Sequence, residues 1–555
     1  MFPLSVNSFA ELYSGSRVLL YIALSLANGG LFLFASLKFL LVLQQSNYRN
    51  GKYLGWAINP ETPYMKRLML LCLLGLLFFG VLNMCFTVVG YDVASYIGFA
   101  SYLLFTSLYI KSESSVNVKV PLRKTKRLVR LSITYILVVA VVTFGFITLF
   151  NYLAFCIGDE VVALLRYAPL CLLPLAIPYL LGAANAVNKP FEELIKKHYV
   201  KIAAEKLASS SVVKIGITGS YAKTSVKEIL ATVLSQKYRV LATPESYNTP
   251  MGIAISVKKL DSTHDVFIAE MGARYKGDIK TLADIVKPTY AVITGINNQH
   301  LESFGSIENT MTTKYELVES LGENGKAFFS SDNDLTEKLF DRFDGEKYAA
   351  GINGGFVHAE NVVTDERGTT FTLCIDGEKP AKCNTVLLGK HSVSNICLAA
   401  AVAYKLGLSV KEIALGINRI KSVGHRLELM PNNKNIVIID DSYNSNVDGV
   451  KAAMEVLDTF HGRKIVLTPG LVELGRMENV ANLEFGKVLA KHADLVYVIG
   501  KHNAEMLISG MLEAGMKKEN IVLAKNLNKA NAALNTILKE GDVVLFENDL
   551  PDNYN

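Results

Sequence analysis

The segment Val213–Ser225, with the sequence VKIGITGSYAKTS, constrains the fold of this chain most strongly. An apolar, strand-like run breaks into a turn of small residues, and the turn ends in Lys223 and Thr224, where a helical pattern begins. In such a loop, backbone N–H groups and a helix N-terminus cradle phosphates, while the lysine neutralises them and the hydroxyl holds Mg²⁺. The segment therefore predicts an α/β domain with a phosphate-binding loop.

The loop departs from the general pattern G-x-x-x-x-G-K-[ST], whose two glycines would fall on Ile217 and Ala222. A shorter form, T-G-[ST]-x-G-K-[ST], fits Thr218 to Thr224 except at Ala222. A methyl group at this position is tolerated at negative φ but costs more in the left-handed region that glycine enters freely. The alternative interpretation is an ordinary strand, turn and helix of an α/β sheet.

The chain before about residue 185 is dominated by apolar residues, although only half of all 555 residues are hydrophobic. Five apolar runs have the length of about 20 residues that a bilayer span requires. They cover residues 18–44, 68–90, 92–110, 130–156 and 161–184. Basic residues follow the first, third and fifth runs, and none follow the second and fourth. The positive-inside rule then predicts a multi-pass cell-membrane protein with its N-terminus outside and everything after the fifth run in the cytoplasm.

Charge and cysteine content limit the other classes of function. Basic loops beside apolar runs account for the net charge of +6, so a nucleic-acid partner is not required. The seven cysteines form no CxxC pair, and they indicate neither a disulfide framework nor a zinc site. Lys38 and Arg166 lie within apolar runs and either bind an anionic lipid head group or snorkel to the membrane surface. Membrane lipid is the partner that this part of the chain predicts.

The segment Pro190–Leu207 has apolar residues at helical spacing, and Pro190 fits the first turn of a helix. We interpret it as a surface helix or a plain connector. From residue 212 onward, strand-like runs alternate with helical stretches, which predicts mostly parallel sheets. The predicted strands are Val212–Thr218, Arg239–Ala242, Asp265–Ala269, Tyr290–Thr294, Ala327–Ser330, Asn435–Ile439, Lys464–Thr468, Leu495–Ile499 and Val543–Phe546.

Polar residues follow several of these strands, where ligands gather in open α/β sheets. Glu270 comes directly after one strand and could ligate Mg²⁺, and His300 follows another. A single histidine is more often a structural hydrogen-bonding residue than a ligand, and Lys314-Tyr-Glu316 alone fits an exposed helix turn.

The order of these motifs is more informative than any one of them. The phosphate loop, Glu-Met-Gly-Ala, His-Leu-Glu-x-Phe-Gly-Ser, Lys-x-Glu, Gly-x-His-x-x-x-Asn and Asp-Asp-Ser-Tyr-Asn occur in succession over residues 212–546. This succession resembles the Mur ligases, particularly their MurF branch. The resemblance implies an α-helical membrane domain of five spans followed by α/β domains: a P-loop-type central ATPase domain with a parallel sheet and a smaller Rossmann-like C-terminal domain. The implied boundaries are 1–185 for the membrane domain, 186–211 for a helical linker, 212–425 for the central domain and 426–555 for the C-terminal domain.

The resemblance also implies roles for individual residues. The residues that would bind the nucleotide are Gly219, Ser220, Ala222, Lys223, Thr224, Ser225, His391, Asn395 and Arg426. Those that would hold Mg²⁺ are Thr224, Glu270, His300 and Lys314, with Lys314 carbamylated so that it resembles a carboxylate. Those that would contact substrate are Asn248, Thr249, Tyr443, Asn444 and Asn446, and the catalytic set would be Lys223, His300, Lys314 and Asp441. The residues alone do not decide between Asp440 and Asp441, and Glu473-Leu-Gly475 matches a further MurF-like motif.

The implied reaction uses ATP and Mg²⁺ to convert a carboxylate into an acyl phosphate, which an amine then attacks. Charge develops on phosphoryl oxygens in such a reaction, so metal ions, a lysine and backbone donors are the groups that stabilise it. The acid would be a UDP-muramoyl peptide or a lipid-linked cell-wall precursor, and the amine donor an amino acid or dipeptide.

Three features separate this chain from the MurF pattern: Ala222, five spans in place of the soluble N-terminal domain that binds the UDP-sugar, and a C-terminus without the usual Lys-Gly-Ser-Arg element. These differences leave open the alternative that the protein is a non-catalytic nucleotide-binding scaffold or sensor.

A transporter is a further class of function, although the five apolar runs lack internal pseudo-symmetry. Adding glutamate to folate is a related ligase chemistry, but Glu-Met-Gly-Ala and Asp-Asp-Ser-Tyr-Asn favour the MurF branch.

Overall fold

In the computed structural model the chain forms two compact units, residues 1–195 and 196–555. The structure describes residues 15–59, 63–86, 91–114, 121–157, 172–297, 304–431, 435–443, 446–472, 474 and 477–548. Helices are the regular secondary structure of the described part of the first unit. Its elements are α1 Gly15–Ala35, α2 Leu37–Gln45, α3 Asn50–Ala57, α4 Pro63–Phe86, α5 Tyr91–Ser114, α6 Lys126–Ile157, a short 3₁₀ turn Leu173–Ala176 and the start of α7 Ile177–Ala208.

The prediction of five membrane spans is not supported. Within the described residues, two helices are long and apolar enough to cross a bilayer, namely α1 with 21 residues and α6 with 32. Helices α4 and α5 cover the second and third apolar runs, but some of their side chains lie outside the described part. Most of the fifth run, including Arg166, also lies outside it.

Helices α1 and α6 pack closely because small and polar residues line their contact. A Cβ atom on Gly29 would lie 2.6 Å from the Ile136 carbonyl oxygen, so only glycine allows the two backbones to approach this closely. Asn28 Nδ2 donates to Thr143 Oγ1 at 2.9 Å. This hydrogen bond pairs two polar side chains across the helix contact, as commonly occurs between helices that pack in an apolar environment.

The position of Pro190 differs from the sequence prediction. Pro190 lies inside α7, a continuous helix that covers both the end of the fifth apolar run and the whole predicted 190–207 helix. Proline lacks an N–H and normally favours the first turn of a helix. Because the residues on both sides of Pro190 maintain helical periodicity, the end of the fifth apolar run and the predicted 190–207 helix form one continuous helix.

The second unit contains two sheets with helices on both faces. The first sheet has nine strands: β1 Val213–Thr218, β2 Val240–Ala242, β3 Val266–Glu270, β4 Tyr290–Ile293, β5 Lys326–Ser330, β6 Glu346–Gly351, β7 Val357–Asp365, β8 Gly368–Ile375 and β9 Ala381–Thr385. Their order is β2-β3-β1-β4-β5-β6-β7-β8-β9, parallel as far as β7 and antiparallel from β7 to β9. After β3 the chain crosses β1 to form β4 on its other side. This crossing creates a switch point at the carboxyl end of β1, where α/β sheets bind ligands.

The helices of this domain form two layers, one on each face of the sheet. They are α8 Lys223–Leu234, α9 Pro250–Val257, α10 Asp278–Val286, α11 Ile307–Glu319, α12 Asp334–Arg342, α13 Lys390–Lys405 and α14 Val410–Ile417. Alternate residues of β3 belong to different cores: Ile268 packs with α8 and α13, whereas Phe267 packs with α9, α10 and α11. Both faces of the strand are therefore buried, which explains its continuous apolar sequence.

The C-terminal domain is built on a six-stranded sheet of order β10-β11-β15-β12-β13-β14. It comprises β10 Glu428–Leu429, β11 Val437–Asp441, α15 Val447–Asp458, β12 Lys464–Thr468, α16 Glu478–His492, β13 Leu495–Ile499, α17 Ala504–Glu513, β14 Ile521–Ala524, α18 Leu527–Ile537 and β15 Val543–Glu547. Among the described strands of this six-stranded sheet, only the β10–β11 pair is antiparallel. All nine strands predicted from sequence are present within a few residues, whereas β6, β7, β8, β9, β10 and β14 were missed.

Candidate nucleotide and metal site

The phosphate loop leaves the end of β1, between β3 and β4, and leads directly into α8. The backbone N–H of Ser220 donates to the carbonyl of Gly295 at 2.7 Å and holds the loop against the end of β4. Lys223 Nζ donates to the carbonyls of Gly219 at 2.8 Å and Ser220 at 2.9 Å. The lysine thus bends back over the loop, where its ammonium group is close to any phosphate that the loop cradles.

Ala222 adopts the conformation that the glycine of the general pattern provides. Its φ and ψ angles are 60° and 0°, in the left-handed region, immediately before α8. For a residue with a Cβ atom this conformation costs roughly 1–2 kcal/mol. The loop therefore has the backbone conformation that glycine would adopt at this position, but with alanine this conformation is strained.

Glu270, at the end of β3, is a carboxylate that is hydrogen-bonded to the first turn of α8, directly after this loop. It is 1% exposed. Thr224 Oγ1 donates to its Oε2 at 2.9 Å, and Asn248 Nδ2 donates to its Oε1 at 3.0 Å. A Cβ atom on Gly272 would lie 2.7 Å from the Asn248 side chain, so the glycine of Glu-Met-Gly-Ala makes room for this amide. Three of the predicted site residues are thereby brought together by direct hydrogen bonds.

Lys227 is a member of this cluster that the sequence prediction missed. Its side chain is fully buried, and its Nζ lies 3.4 Å from Glu270 Oε2. It also donates to the Glu245 carbonyl at 2.5 Å and lies 3.2 Å from the exposed Glu228 carboxylate. The available signal was its spacing of four residues from Lys223, since residues i and i+4 share one face of a helix.

Lys314, on α11, is also buried, with 2% exposure. Burial lowers its pKa well below the ordinary value, and the nearby Lys223 lowers it further. The ammonium lies 5.7 Å from the centre of the Phe304 ring. A lysine in this position is a neutral amine over a wider pH range than a solvated one.

Glu316, two residues after Lys314, has a different part in the structure. Its carboxylate accepts hydrogen bonds from the backbone N–H groups of Gly277 at 2.8 Å and Lys280 at 2.9 Å. These groups belong to the N-terminus of α10, which favours negative charge. The Lys-x-Glu motif therefore combines a buried amine with a carboxylate that anchors a neighbouring helix.

The cationic groups of Lys223, Lys314 and Arg426 interact electrostatically. Burial lowers the pKa of Lys223 to about 8, the Glu270 carboxylate opposes this effect, and Arg426 adds to it. Lys223 in turn lowers the pKa of Lys314, so Lys223 is repelled both by Arg426 and by the charged form of Lys314. Bound polyphosphate would offset this repulsion, so the arrangement is suited to an anion.

The two aspartates at the end of β11 face different partners. Asp440 Oδ2 lies 2.7 Å from His425 Nδ1, and its Oδ1 accepts from Ser442 N at 3.0 Å, so it orders the adjoining turn. Burial raises the pKa of Asp441 to about 6, opposed by a hydrogen bond from the backbone N–H of Leu427 and by Arg426. Asp441 is thus the aspartate that interacts with the cationic cluster.

His391 and Asn395 lie in the first turns of α13, behind Gly389. Burial lowers the pKa of His391 to about 4, so the imidazole is neutral at physiological pH. Its Nε2 lies 3.2 Å from Ser392 Oγ. Asn395 is half-buried. Both residues lie at the end of a helix that covers the same face of the sheet as α8.

The predicted substrate residues divide into three groups. Thr249 caps α9 by accepting from Gly252 N at 3.3 Å, and Asn446 caps α15. Tyr443 is exposed, with Arg426 Cζ 4.5 Å from its ring centre. Asn444 lies outside the described residues. So do His300, which was predicted as a metal ligand, and Glu473 and Gly475 of the further MurF-like motif.

A second missed contact links the two sheets of this unit. Asn297, in the loop after β4, donates through Nδ2 to Asn446 Oδ1 at 3.1 Å and to Asp448 Oδ2 at 2.9 Å. Ser220 in the phosphate loop exchanges hydrogen bonds with the backbone of the same asparagine. The phosphate loop and the C-terminal domain are therefore connected through one residue.

Comparison with known proteins matches both α/β domains to one family. Residues 217–403 match the Mur ligase middle domain, and residues 425–547 match the Mur ligase, glutamate ligase domain. The UDP-N-acetylmuramoyl-tripeptide–D-alanyl-D-alanine ligase of Bacillus subtilis (strain 168) is 30% identical over 339 residues, which cover 60% of this chain and 72% of the relative. The ligase of the same name from Escherichia coli (strain K12) is 30% identical over 340 residues, which cover 59% and 73%.

Solved structures agree with these sequence matches. The MurF ligase of Thermotoga maritima, in complex with ADP, aligns with a TM-score of 0.57 at 29% identity and covers 64% of this chain and 80% of that one. A crystal structure of MurF from Acinetobacter baumannii aligns with a TM-score of 0.59 at 24% identity, covering 64% and 77%. The latter likeness supports the fold alone.

Proposed function

Since this chain belongs to the Mur ligase family, we propose that it is a membrane-tethered ligase that joins the carboxylate of a cell-wall precursor to an amine. Family membership makes it an ATP-dependent enzyme that forms C–N bonds and uses ATP and Mg²⁺. The membrane tether, the substrates and the roles of individual residues are the proposed parts.

One observation carries the catalytic assignment: two cationic side chains, a buried lysine amine and a buried carboxylate all interact with residues of the phosphate loop and its helix. Lys223 and Arg426 supply positive charge, and Glu270 and the Thr224 hydroxyl supply hard oxygen atoms. Lys314 supplies a buried amine whose pKa is well below its ordinary value. Mg²⁺ prefers such oxygen ligands and is commonly bound together with substrate phosphates. The residues present therefore fit both ATP and Mg²⁺.

In the proposed arrangement, Lys223 and the loop N–H groups hold the phosphates, and Thr224, Glu270, His300 and Lys314 hold Mg²⁺. ATP activates the precursor carboxylate toward attack by an amine. Arg426 neutralises charge on the phosphoryl oxygens, and Asp441 orients the incoming amine. Neutral His391 and Asn395 contact the adenine. Asn297 connects the phosphate loop to the C-terminal domain and helps to exclude water when the nucleotide is bound.

Similarity to the ligases named above supports UDP-muramoyl-tripeptide and D-alanyl-D-alanine as the first substrate pair to test. Both family matches begin at or after residue 217, so the first 216 residues lie outside them. A lipid-linked precursor is the second acid that we propose, because a membrane-bound unit would keep the ligase close to it.

The membrane tether is supported by the apolar surface of the first unit. Only 33% and 28% of the residues in the apolar windows of α1 and α6 are buried. Many apolar side chains of these helices are exposed, for example Leu19 at 68% and Val141 at 71%. Exposed apolar area of this extent is unfavourable in water and favourable in lipid. The distribution of basic residues supports a cytoplasmic location for the ligase domains.

We expect the full-length chain to remain in the membrane fraction after an alkaline carbonate wash. A variant beginning at residue 196, where the second compact unit starts, should be released under the same conditions. Release of the full-length chain would contradict the proposed tether.

The ligase assignment is tested by release of ADP and phosphate from detergent-purified protein. We expect turnover to require both UDP-muramoyl-tripeptide and D-alanyl-D-alanine, and Lys223→Met to lower it about 10²–10³-fold because an electrostatic donor to the phosphates is lost. Lys237→Met is the matched control, since Lys237 is exposed and donates only to the Gly407 carbonyl. A rate unchanged in Lys223→Met would contradict the proposed site. If the protein binds ATP but does not ligate this pair, the same assay should be repeated with a lipid-linked precursor as the acid.

Ala222→Gly distinguishes the enzyme from the non-catalytic scaffold that Ala222 first suggested. Glycine adopts the left-handed conformation freely, so the variant should be about 1 kcal/mol more stable. For an enzyme with a strained loop, we expect ATP turnover to be maintained or increased. ATP binding without turnover in both proteins would favour the scaffold.

A further inference from the structure

We propose that His358, Glu360 and Cys374 form a binding site for a thiophilic divalent cation such as Zn²⁺, on the outer face of the β7–β8 hairpin. Each residue offers one ligand atom, and the three atoms lie within 4.8 Å of one another. Cysteine sulfur, imidazole nitrogen and carboxylate oxygen are the three ligand types that zinc uses in proteins. Three protein ligands leave a fourth position for water.

The strand register creates this cluster. His358 on β7 lies directly opposite Cys374 on β8, and Glu360 follows His358 by two residues. Side chains of directly opposite residues, and of residues i and i+2, share one face of a sheet. Val357 and Ala359, which alternate with them, belong to the domain core. The three ligands therefore lie together on the face away from that core.

The environment of His358 supplies an independent indication. Its Nε2 lies 3.9 Å from Glu360 Oε1, while its Nδ1 is buried without a hydrogen-bond partner among the described residues. Buried polar atoms normally have partners, so an unpaired imidazole nitrogen requires an explanation. Cys374 is a free thiol, 9% exposed, on the opposite strand. A bound cation would give the imidazole the interaction that the protein itself does not.

A bulge after Glu360 helps to position its carboxylate. The β7–β8 register shifts between Glu360 and Val363, and Asn361 adopts a φ angle of 54°. Bulges increase local twist and redirect neighbouring side chains. Glu360 is 61% exposed and is free to move toward an ion held by His358 and Cys374.

This site is separate from the phosphate loop. Strands β4, β5 and β6 lie between β1 and β7 in the sheet. Neither His358 nor Cys374 contributes to the proposed ATP site. A cation here would join the two strands of the β7–β8 hairpin and stabilise this part of the sheet, independently of ligation.

Co²⁺ is the diagnostic probe, because a Co²⁺–thiolate bond gives a charge-transfer absorption band and oxygen ligands of a magnesium site do not. We expect full-length, chelator-treated protein to show this band on addition of Co²⁺, and Zn²⁺ to abolish it by competition. The band should be lost in Cys374→Ser and retained in Cys156→Ser, which removes an exposed cysteine of the first unit. ATP turnover of Cys374→Ser should equal that of the parent.

Thermal unfolding provides a second readout. Excess Zn²⁺ should raise the unfolding temperature of the parent by roughly 3–6 °C. Glu360→Gln, a substitution at an exposed position that leaves the fold intact, should weaken Zn²⁺ binding about 10-fold or more. Absence of the Co²⁺ band in the parent, its persistence in Cys374→Ser, or Zn²⁺ stabilisation undiminished in both variants would overturn the proposal.

Discussion

Replacing Lys314 with methionine is expected to lower ATP turnover about 10²–10³-fold and at the same time to stabilise the fold. The amine is 2% exposed and is repelled by Lys223, so its charged form is disfavoured in the folded protein. Methionine fills a similar volume without a charge, whereas catalysis loses the group proposed to support the metal. Gain of stability with loss of activity is typical of residues retained for function.

The pH dependence of stability identifies the same group. The pKa of Lys314 is well below its ordinary value in the folded state, so the unfolded chain binds the additional proton between the folded and unfolded pKa values. The free energy of unfolding therefore rises with pH across that window and decreases as pH falls through the folded pKa. We expect Lys314→Met to lose this contribution, which unfolding measurements at several pH values between 7 and 10 would detect. Lys338→Met, at an exposed position on α12, is the matched control. An identical pH profile in parent and Lys314→Met would contradict the assignment.

A neutral amine is also the form that reacts with carbon dioxide. In carbamylation the amine nitrogen forms a bond to the carbon of CO₂ and releases a proton, which converts the side chain into an anion. We expect the parent's ligase rate to fall in carbonate-free buffer and to recover when bicarbonate is added. Lys314→Met should show no such response, and a parent rate independent of bicarbonate would argue against carbamylation.

The predicted site residues that lie close together in the structure are positioned by local motifs. The loop, Lys223 and Glu270 occur at strand ends, where a short motif determines both position and neighbours. The hydrogen bond between Thr224 and Glu270 joins residues 46 positions apart, but both follow adjacent parallel strands. In a parallel sheet the ends of adjacent strands lie side by side, so recognising the two strands was enough to expect these residues to lie close together.

The missed features depend on pairing between segments. Strands β7 to β9 form an antiparallel extension of the sheet with polar residues on one face. Their sequences contain no continuous apolar run, and no helices alternate with them, so the patterns used to predict the other strands are missing. The contact of His358 with Cys374 arises from their register and not from a CxxC-type spacing. Helix α7 continues through Pro190. The helix-forming residues on both sides of the proline outweigh the loss of one backbone hydrogen bond.

The second large effect is expected at Lys227. Lys227→Met leaves the Glu270 carboxylate buried without its nearest cation, although Thr224 and Asn248 still donate to it. Breaking a buried ion pair from one side costs about 3–5 kcal/mol. We expect a loss of stability of about 3 kcal/mol in Mg²⁺-free buffer, measured by chemical unfolding. Glu228→Gln removes only the exposed partner of the same lysine and should change stability by about 0.5 kcal/mol or less.

The double variant Lys227→Met/Glu270→Gln separates the ion pair from general disruption of the core. Removing both charges leaves no uncompensated group, so the double variant should be more stable than the sum of the single changes predicts, with a coupling of about 1–3 kcal/mol. Mg²⁺ with a nucleotide should restore more stability to Lys227→Met than to the parent, since the metal supplies the positive charge that Glu270 has lost. Additive single effects, or an equal response to Mg²⁺ in both proteins, would mean that Lys227 acts only as a packing residue. Coupling together with selective rescue would mean that lysine and metal neutralise the same carboxylate.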